Sequence, residues 1–403
     1  MRQPKVGFVV PRCGADIFGG AEIYCLELAR HLGPSWDIDV LTTCARDYTT
    51  WKNEYPEGHS YEKGVHVRRF PVDRPRDVAQ FNRLSQRVSF DVERTSISLQ
   101  EEWMHAQGPV SMQLMEYLKV HRPRYDAFFF FCYLYATSYE LLPLVQEKAF
   151  LVPFAHDEWP LRMRIWNEFF QRAQCTIFNT PEEHDLICGR FSRTRVDGPI
   201  VGTGIEPPPY ADAQAFRARF GIVEPFILYL GRLDRSKGCD VLVEDFVRYR
   251  AAHLAPAKLV LAGEPHIRLP ENKDVIVLGP LDEQSKWNAL AASDLLAMPS
   301  AYESLSLAVL EAWASGKPVL VNAHAAALVG QCRRSGGGLW YSNYEEFEAA
   351  LAVLDESVRK KLGSQGLDFI KRRCRWDKVE GAYRALLNPP LEQPIFDKEA
   401  SEW

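Results

Sequence analysis

Short apolar runs alternate with amphipathic helical stretches twice along this chain, once in each half, and no other feature restricts the fold as much. In the first half KVGFVV leads into GGAEIYCLELARHL and then DIDVLTT; YDAFFFF, AFLVPFA and CTIFNT follow, each with a helical segment behind it. The second half repeats the rhythm with FILYLG, AKLVLAG, DVIVLG, DLLAMPS and PVLVN. Strand–helix–strand units of this kind build parallel sheets. The expected fold class is α/β: two doubly wound, Rossmann-like domains facing each other across a cleft.

Length agrees, since 403 residues suit two domains of roughly 100–200 residues or slightly more. The stretch VGTGIEPPPYADAQAF, from Val201 to Phe216, breaks the rhythm with glycines and prolines and reads as the linker. The expected domains are 1–205, 206–370, and a closing segment 371–403. That last segment carries the helix WDKVEGAYRALL and a polar tail, packing back on the first domain. Between Arg76 and His121 lies a long, mostly helical stretch, richer in charge than a core helix should be.

The net charge of −5 argues against a general nucleic-acid binder. Nine cysteines without a C-x-x-C pair suit a reducing compartment better than a disulfide framework or a zinc site. The most apolar stretch, AFFFFCYLYA, is half the roughly 20 residues a membrane span needs. We expect a cytoplasmic protein, with peripheral contact at the inner face of a membrane left open. Arginines are frequent from Arg68 to Arg94, but acids are interleaved, as on a solvated helical face.

In doubly wound sheets ligands gather at the carboxyl ends of the strands, so the loops there matter most. YESLSLAVLEAWASGKPVLVN, from Tyr302 to Asn322, follows one such strand and sets Glu303 and Glu311 among small and apolar residues. Ser304 or Ser306 can cap the helix, and amides at its start, with the dipole behind them, suit a phosphate. Eight helical positions span roughly 12 Å, about the reach from a sugar past a diphosphate to a ribose. One glutamate could then hold each sugar. The alternative is an amphipathic helix whose Glu311 faces solvent.

YLGRLDRSKG adds Arg232 and Lys237 just beyond Gly231, at the edge of the same sheet. A lysine near a helix start opposes the dipole, which suggests an anionic partner. The competing reading is a solvated loop with Asp234 pairing Arg235. In the first half Gly19 and Gly20 stand between a strand and its helix, either to admit a ligand or to fit a tight turn. His156 ends another strand of that half, as a structural histidine or one facing the cleft.

The Glu303/Glu311 spacing, GRLDRSKG, LAG, LGPLDEQSKWNALAASDLLAMPS, SGKPVLVN and the Gly19–Gly20 loop together resemble the retaining family 4 glycosyltransferases of GT-B fold (glycosyl transferases group 1). The resemblance is strong from Phe226 to Asn322 and looser before it. It implies a second domain that binds a nucleotide sugar and a first that binds the acceptor. Arg232 and Lys237 would stabilise the departing diphosphate, Glu311 would hold the ribose, and Glu303 the transferred sugar. The amides of Leu305, Ser306 and Leu307 would sit near phosphate and sugar, and His156 near the sugar's C6 hydroxyl. The catalytic set is then His156, Arg232, Lys237 and Glu303. Gly19, Gly20, Gly231, Ser304, Leu305, Ser306, Leu307 and Glu311 join Arg232, Lys237 and Glu303 in holding the donor. Many family members carry glycine where this chain has Ser304 and Ser306, which leaves the sugar open.

The family needs no metal and no cofactor beyond the sugar nucleotide. The implied reaction moves a hexose from a UDP-sugar, or next a GDP-sugar, to a saccharide, glycoconjugate or lipid-linked acceptor in polysaccharide biosynthesis. Base recognition is expected in the loop Gly279 to Asp282. Two other readings compete: a nucleotide-sugar epimerase of the same fold, and a relative that binds sugar nucleotides without turnover.

Overall fold

The computed structural model describes residues 2–191, 196–253 and 257–387. The chain forms two compact units. Unit 1 takes the residues up to Val201 and the described residues from Glu380 onward; unit 2 runs from Gly202 to Val379. The glycine- and proline-rich stretch therefore holds the change of unit at its first bond, and the helix Ala213–Phe220 starts inside it. The helix WDKVEGAYRALL spans Trp376–Leu387; the tail expected after it, 388–403, lies outside the described residues.

Unit 1 is built on a seven-stranded sheet of β1 (Lys5–Val9), β2 (Asp37–Thr43), β3 (Gly58–Glu62), β4 (Val65–Phe70), β5 (Ala127–Phe131), β6 (Ala149–Val152) and β7 (Cys175–Thr176). Their order is β3-β4-β2-β1-β5-β6-β7. All pairs are parallel except β3 with β4. Every residue of β5 is buried, as a strand covered by helices on both faces requires. Tyr383, in the last helix, packs its ring at a tilt against Phe129 of that strand and bonds its hydroxyl to that of Tyr24 at 3.0 Å.

Unit 2 carries an all-parallel sheet of β8 (Phe226–Leu230), β9 (Lys258–Ala262), β10 (Val275–Gly279), β11 (Leu295–Met298), β12 (Val319–Asn322) and β13 (Gly338–Tyr341). The order β10-β9-β8-β11-β12-β13 reverses direction between β8 and β11, which pair directly through Leu295 with Ile227 and Leu296 with Leu228. Crevices for ligands open at such reversals, beyond the carboxyl ends of the two strands.

The expected solvated arginine face holds for Arg83 and Arg87 on the helix Val78–Phe90 and for Arg74 and Arg94, all exposed, but two arginines of the stretch depart from it. Arg69 lies on β4, 3% exposed, bonded to Glu62 at 2.7 Å and to the carbonyl of Cys13. Arg76 sits over the rings of Trp51 and Phe81. Guanidinium groups are weakly hydrated and stack on aromatic faces, so these two cations serve the interior.

Glycines let the helix Glu356–Arg373 approach the loop that follows the Leu307–Ala314 helix. A Cβ on Gly363 would overlap the Gly316 carbonyl, and one on Gly366 the Trp313 ring. Gly363→Ala gains about 1 kcal/mol of helix propensity but forces backbone apart, which costs about 1–3 kcal/mol. We expect net destabilisation, whereas Gly381→Ala, with nothing near its Cβ, should raise stability by about 1 kcal/mol. Urea denaturation of the two variants reads both signs.

Candidate functional site

In unit 2 the two sequence motifs follow β8 and β11, the adjacent strands at which the sheet reverses. The first loop leaves β8 at Gly231, whose φ of +149° lies where side chains are disfavoured. Asp234 then organises the turn. Its Oδ1 accepts from the Lys237 N–H at 3.0 Å and from the Ser236 hydroxyl, and its Oδ2 is 3.6 Å from Arg232 Nε. The Asp234–Arg235 pair of the competing reading is absent here; Arg235 faces Asp240 instead, 3.7 Å away. Tyr229 adds a hydroxyl bond to the Arg232 carbonyl at 2.7 Å.

The second loop brings Glu303 onto Lys237, with Nζ and Oε1 2.6 Å apart and both side chains mostly covered. The anionic partner expected for Lys237 is thus, in this structure, the first glutamate of the other motif. The helix begins at Leu307 with Ser306 as its cap, accepting from the Val309 N–H at 3.4 Å. Ser304 is buried in the loop before it, and Leu305 packs against the unit's core. Glu303 therefore precedes the helix by four residues and Glu311 is its fifth, so a helical rise covers only part of their separation.

Glu311 does not face solvent alone. Its Oε1 lies 2.6 Å from Lys286 Nζ, which also reaches Glu283 at 2.9 Å. Burial pushes the Glu311 carboxyl up, and Lys286 opposes that. Lys286 is the site residue that sequence reasoning missed. Its visible pairing is with Glu283 on its own helix, Glu283–Ala292, whereas Glu311 is 25 positions away. The loop expected to read the base ends in Asp282, which caps that same helix by accepting from the Ser285 N–H at 2.8 Å.

In unit 1 Gly19 caps the helix Gly20–Leu32 without a side-chain bond. A Cβ there would overlap the Glu22 carboxylate, which is buried and bonded to Arg12 Nε at 2.6 Å; nothing lies near a Cβ on Gly20. The close approach that Gly19 permits is to this ion pair. His156 follows β6 and has its Nδ1 3.4 Å from Glu158 Oε1. Just before it Phe154 holds φ at +51°, and Cys132, after β5, holds +70°. Such values in bulky residues persist only where the surroundings enforce them, commonly at functional loops. Among the described residues no helix is long and apolar enough to cross a membrane.

Comparison with known proteins places this geometry. Residues 224–355 match the family described as glycosyl transferases group 1, and they include both motifs. Mannosylfructose-phosphate synthase of Agrobacterium fabrum is 26% identical over the whole chain and 94% of that enzyme. Among solved structures, sucrose-phosphate synthase of Thermosynechococcus elongatus superposes with a TM-score of 0.72 at 17% identity, covering 96% of this chain and all of that one. The Anabaena HepE protein in complex with UDP-glucose gives 0.68 at 14%, with the same coverage. Residues 224–355 are similar to the glycosyl transferases group 1 family, and the chain has the GT-B fold, two parallel-sheet α/β units.

Proposed function

We propose that this chain is a retaining, metal-independent hexosyltransferase that takes its sugar from a nucleoside diphosphate sugar, UDP-linked first and GDP-linked next. The observation that carries the reading is the Lys237–Glu303 pair beside Arg232, at the carboxyl ends of β8 and β11. Two cations there suit a diphosphate, whose charge grows as the sugar leaves. Glu303 then turns to the hydroxyls of the transferred sugar. Glu311 offers the carboxylate oxygen not bonded to Lys286 to the ribose diol. His156 meets the sugar's C6 hydroxyl, and the leaving phosphate oxygen takes the acceptor's proton on the same face.

Unit 1 is read as the acceptor half. The arginines at the carboxyl ends of β1, β2 and β4 already hold carboxylates: Arg12 with Glu22, Arg46 with Asp16, Arg69 with Glu62. That favours a neutral saccharide or glycoconjugate hydroxyl over a sugar phosphate, which would want such cations for itself.

A melting-temperature screen against UDP, GDP, ADP and their sugar conjugates, without and with Mg²⁺, tests the donor reading. A ligand at about 100 times its dissociation constant stabilises by roughly 2.7 kcal/mol. Glu311→Ala should weaken the nucleotide that shifts the wild type by about 10–100-fold, the worth of hydrogen bonds to a charged group. Undiminished binding in that variant overturns the ribose assignment. Release of nucleoside diphosphate with a saccharide separates transfer from epimerisation, which interconverts donor sugars, and from binding alone.

A further inference from the structure

The helix Pro181–Arg190 presents His184 and Cys188 four residues apart, hence one above the other on one face. Asp197 meets them there. His184 Nε2 is 2.8 Å from Asp197 Oδ1, and one ligand atom of each of the three lies within 4.8 Å of the others. On the opposite side of the ring, Nδ1 is 3.1 Å from Asp185 Oδ1. A neutral imidazole has one N–H and one lone pair. With the N–H given to Asp185, the Nε2 lone pair would face a carboxylate oxygen at hydrogen-bond distance. Only a positive charge between them makes that contact favourable. A proton on that nitrogen would supply it. A metal ion would supply it equally.

We propose that His184, Cys188 and Asp197 bind a divalent cation of the zinc class, with Asp185 orienting the histidine. Imidazole, thiolate and carboxylate form a donor set such an ion accepts, and three protein ligands leave the fourth tetrahedral position to water. Bonds of about 2.0–2.3 Å set neighbouring tetrahedral ligands roughly 3.5 Å apart, so small side-chain movements close the site. The carboxylate behind the ring fixes the tautomer that leaves Nε2 for the metal. Cys188 is buried, whereas Asp197 is exposed, so the ion enters from the solvent side past the carboxylate. A metal takes the thiolate and a bare Nε2, so binding releases protons and strengthens as pH rises. The site shares no residue with the proposed donor pocket, and its effect is to tie the helix to Asp197. A search for C-x-x-C pairs passes over it because its spacing is His-x-x-x-Cys.

The test uses the full-length protein stripped of metal. Zn²⁺ at about a hundredfold excess over its dissociation constant should raise the melting temperature by about 5–10 °C, reversed by chelation. Co²⁺ should give a thiolate-to-cobalt charge-transfer band and the visible absorption of a tetrahedral ion. Cys188→Ser should lose the charge-transfer band. Asp197→Asn, a change at an exposed position, should keep the fold and weaken Zn²⁺ at least about tenfold. Absence of both the shift and the band overturns the proposal. So does a band that survives in Cys188→Ser, since the metal then sits at another thiol.

Discussion

Lys237→Ala is expected to lower kcat/KM for sugar transfer about 10³-fold while the protein still melts cooperatively, because it removes a positive charge aimed at the charge that grows on the leaving diphosphate. The structure adds a second consequence. Lys237 is already engaged by Glu303 at 2.6 Å, so a diphosphate has to displace that carboxylate before the lysine can serve it. Glu303→Gln should therefore tighten UDP, which has no sugar for the glutamate to hold, by about tenfold, while transfer from the sugar nucleotide falls. Lys237→Arg should restore only part of the rate, since a planar fork does not take the place of a compact ammonium. Steady-state kinetics with UDP inhibition reads all three variants. Near-wild-type kcat/KM in Lys237→Ala would remove the diphosphate assignment, and unchanged UDP affinity in Glu303→Gln would remove the competition.

The extent to which this site was legible follows from how far apart its interacting residues lie. FILYLG and DLLAMPS were readable as strands because central parallel strands are apolar on both faces, and their ends then marked the loops to inspect. Ser306 as a cap followed from residue type, although Ser304 competed for the place and only packing decided between them. The pairing of Lys286 with Glu311 left no local trace, since it joins two helices whose contact depends on the whole unit. Neither did the crowding of Gly19 by Glu22, which arises because Arg12 draws that carboxylate inward. The hairpin β3–β4 was missed for a different reason. GHSYE and VHVRRF alternate polar and apolar residues at a sheet edge, and their charges resembled the solvated stretch that follows. Where a strand is half-exposed the apolar signal is weak, and Arg69 shows that a charge in such a strand can still be buried.

Glu183 should make the stability of unit 1 depend on pH in a direction opposite to that of most carboxylates. It lies 2% exposed in the first turn of the Pro181–Arg190 helix. Its Oε1 accepts from the Ala155 N–H at 2.6 Å, and its Oε2 accepts from the N–H and side-chain amide of Asn179 at 2.7 and 3.1 Å. It thereby fastens the loop that carries His156 to the loop after β7. Burial raises the carboxyl from 4.5 to about 7, against those three donors, which favour the ionised form. A folded-state pKa above the unfolded one means that the native state binds the proton more tightly. The group's contribution is then complete below about pH 4.5 and is lost as pH rises through about 7, a change of about 3 kcal/mol. Glu183→Gln removes the titration and turns one amide nitrogen toward a donor. Glu183→Ala strands all three donors, each costing about 1–3 kcal/mol, so it should destabilise unit 1 by about 3–9 kcal/mol. Urea unfolding of the wild type and both variants at pH 5 and pH 7.5 separates these effects. The wild type should lose about 2.4 kcal/mol of its advantage over Glu183→Gln between the two pH values. Parallel pH slopes would mean that Glu183 is ionised throughout, held by its donors against the cost of burial.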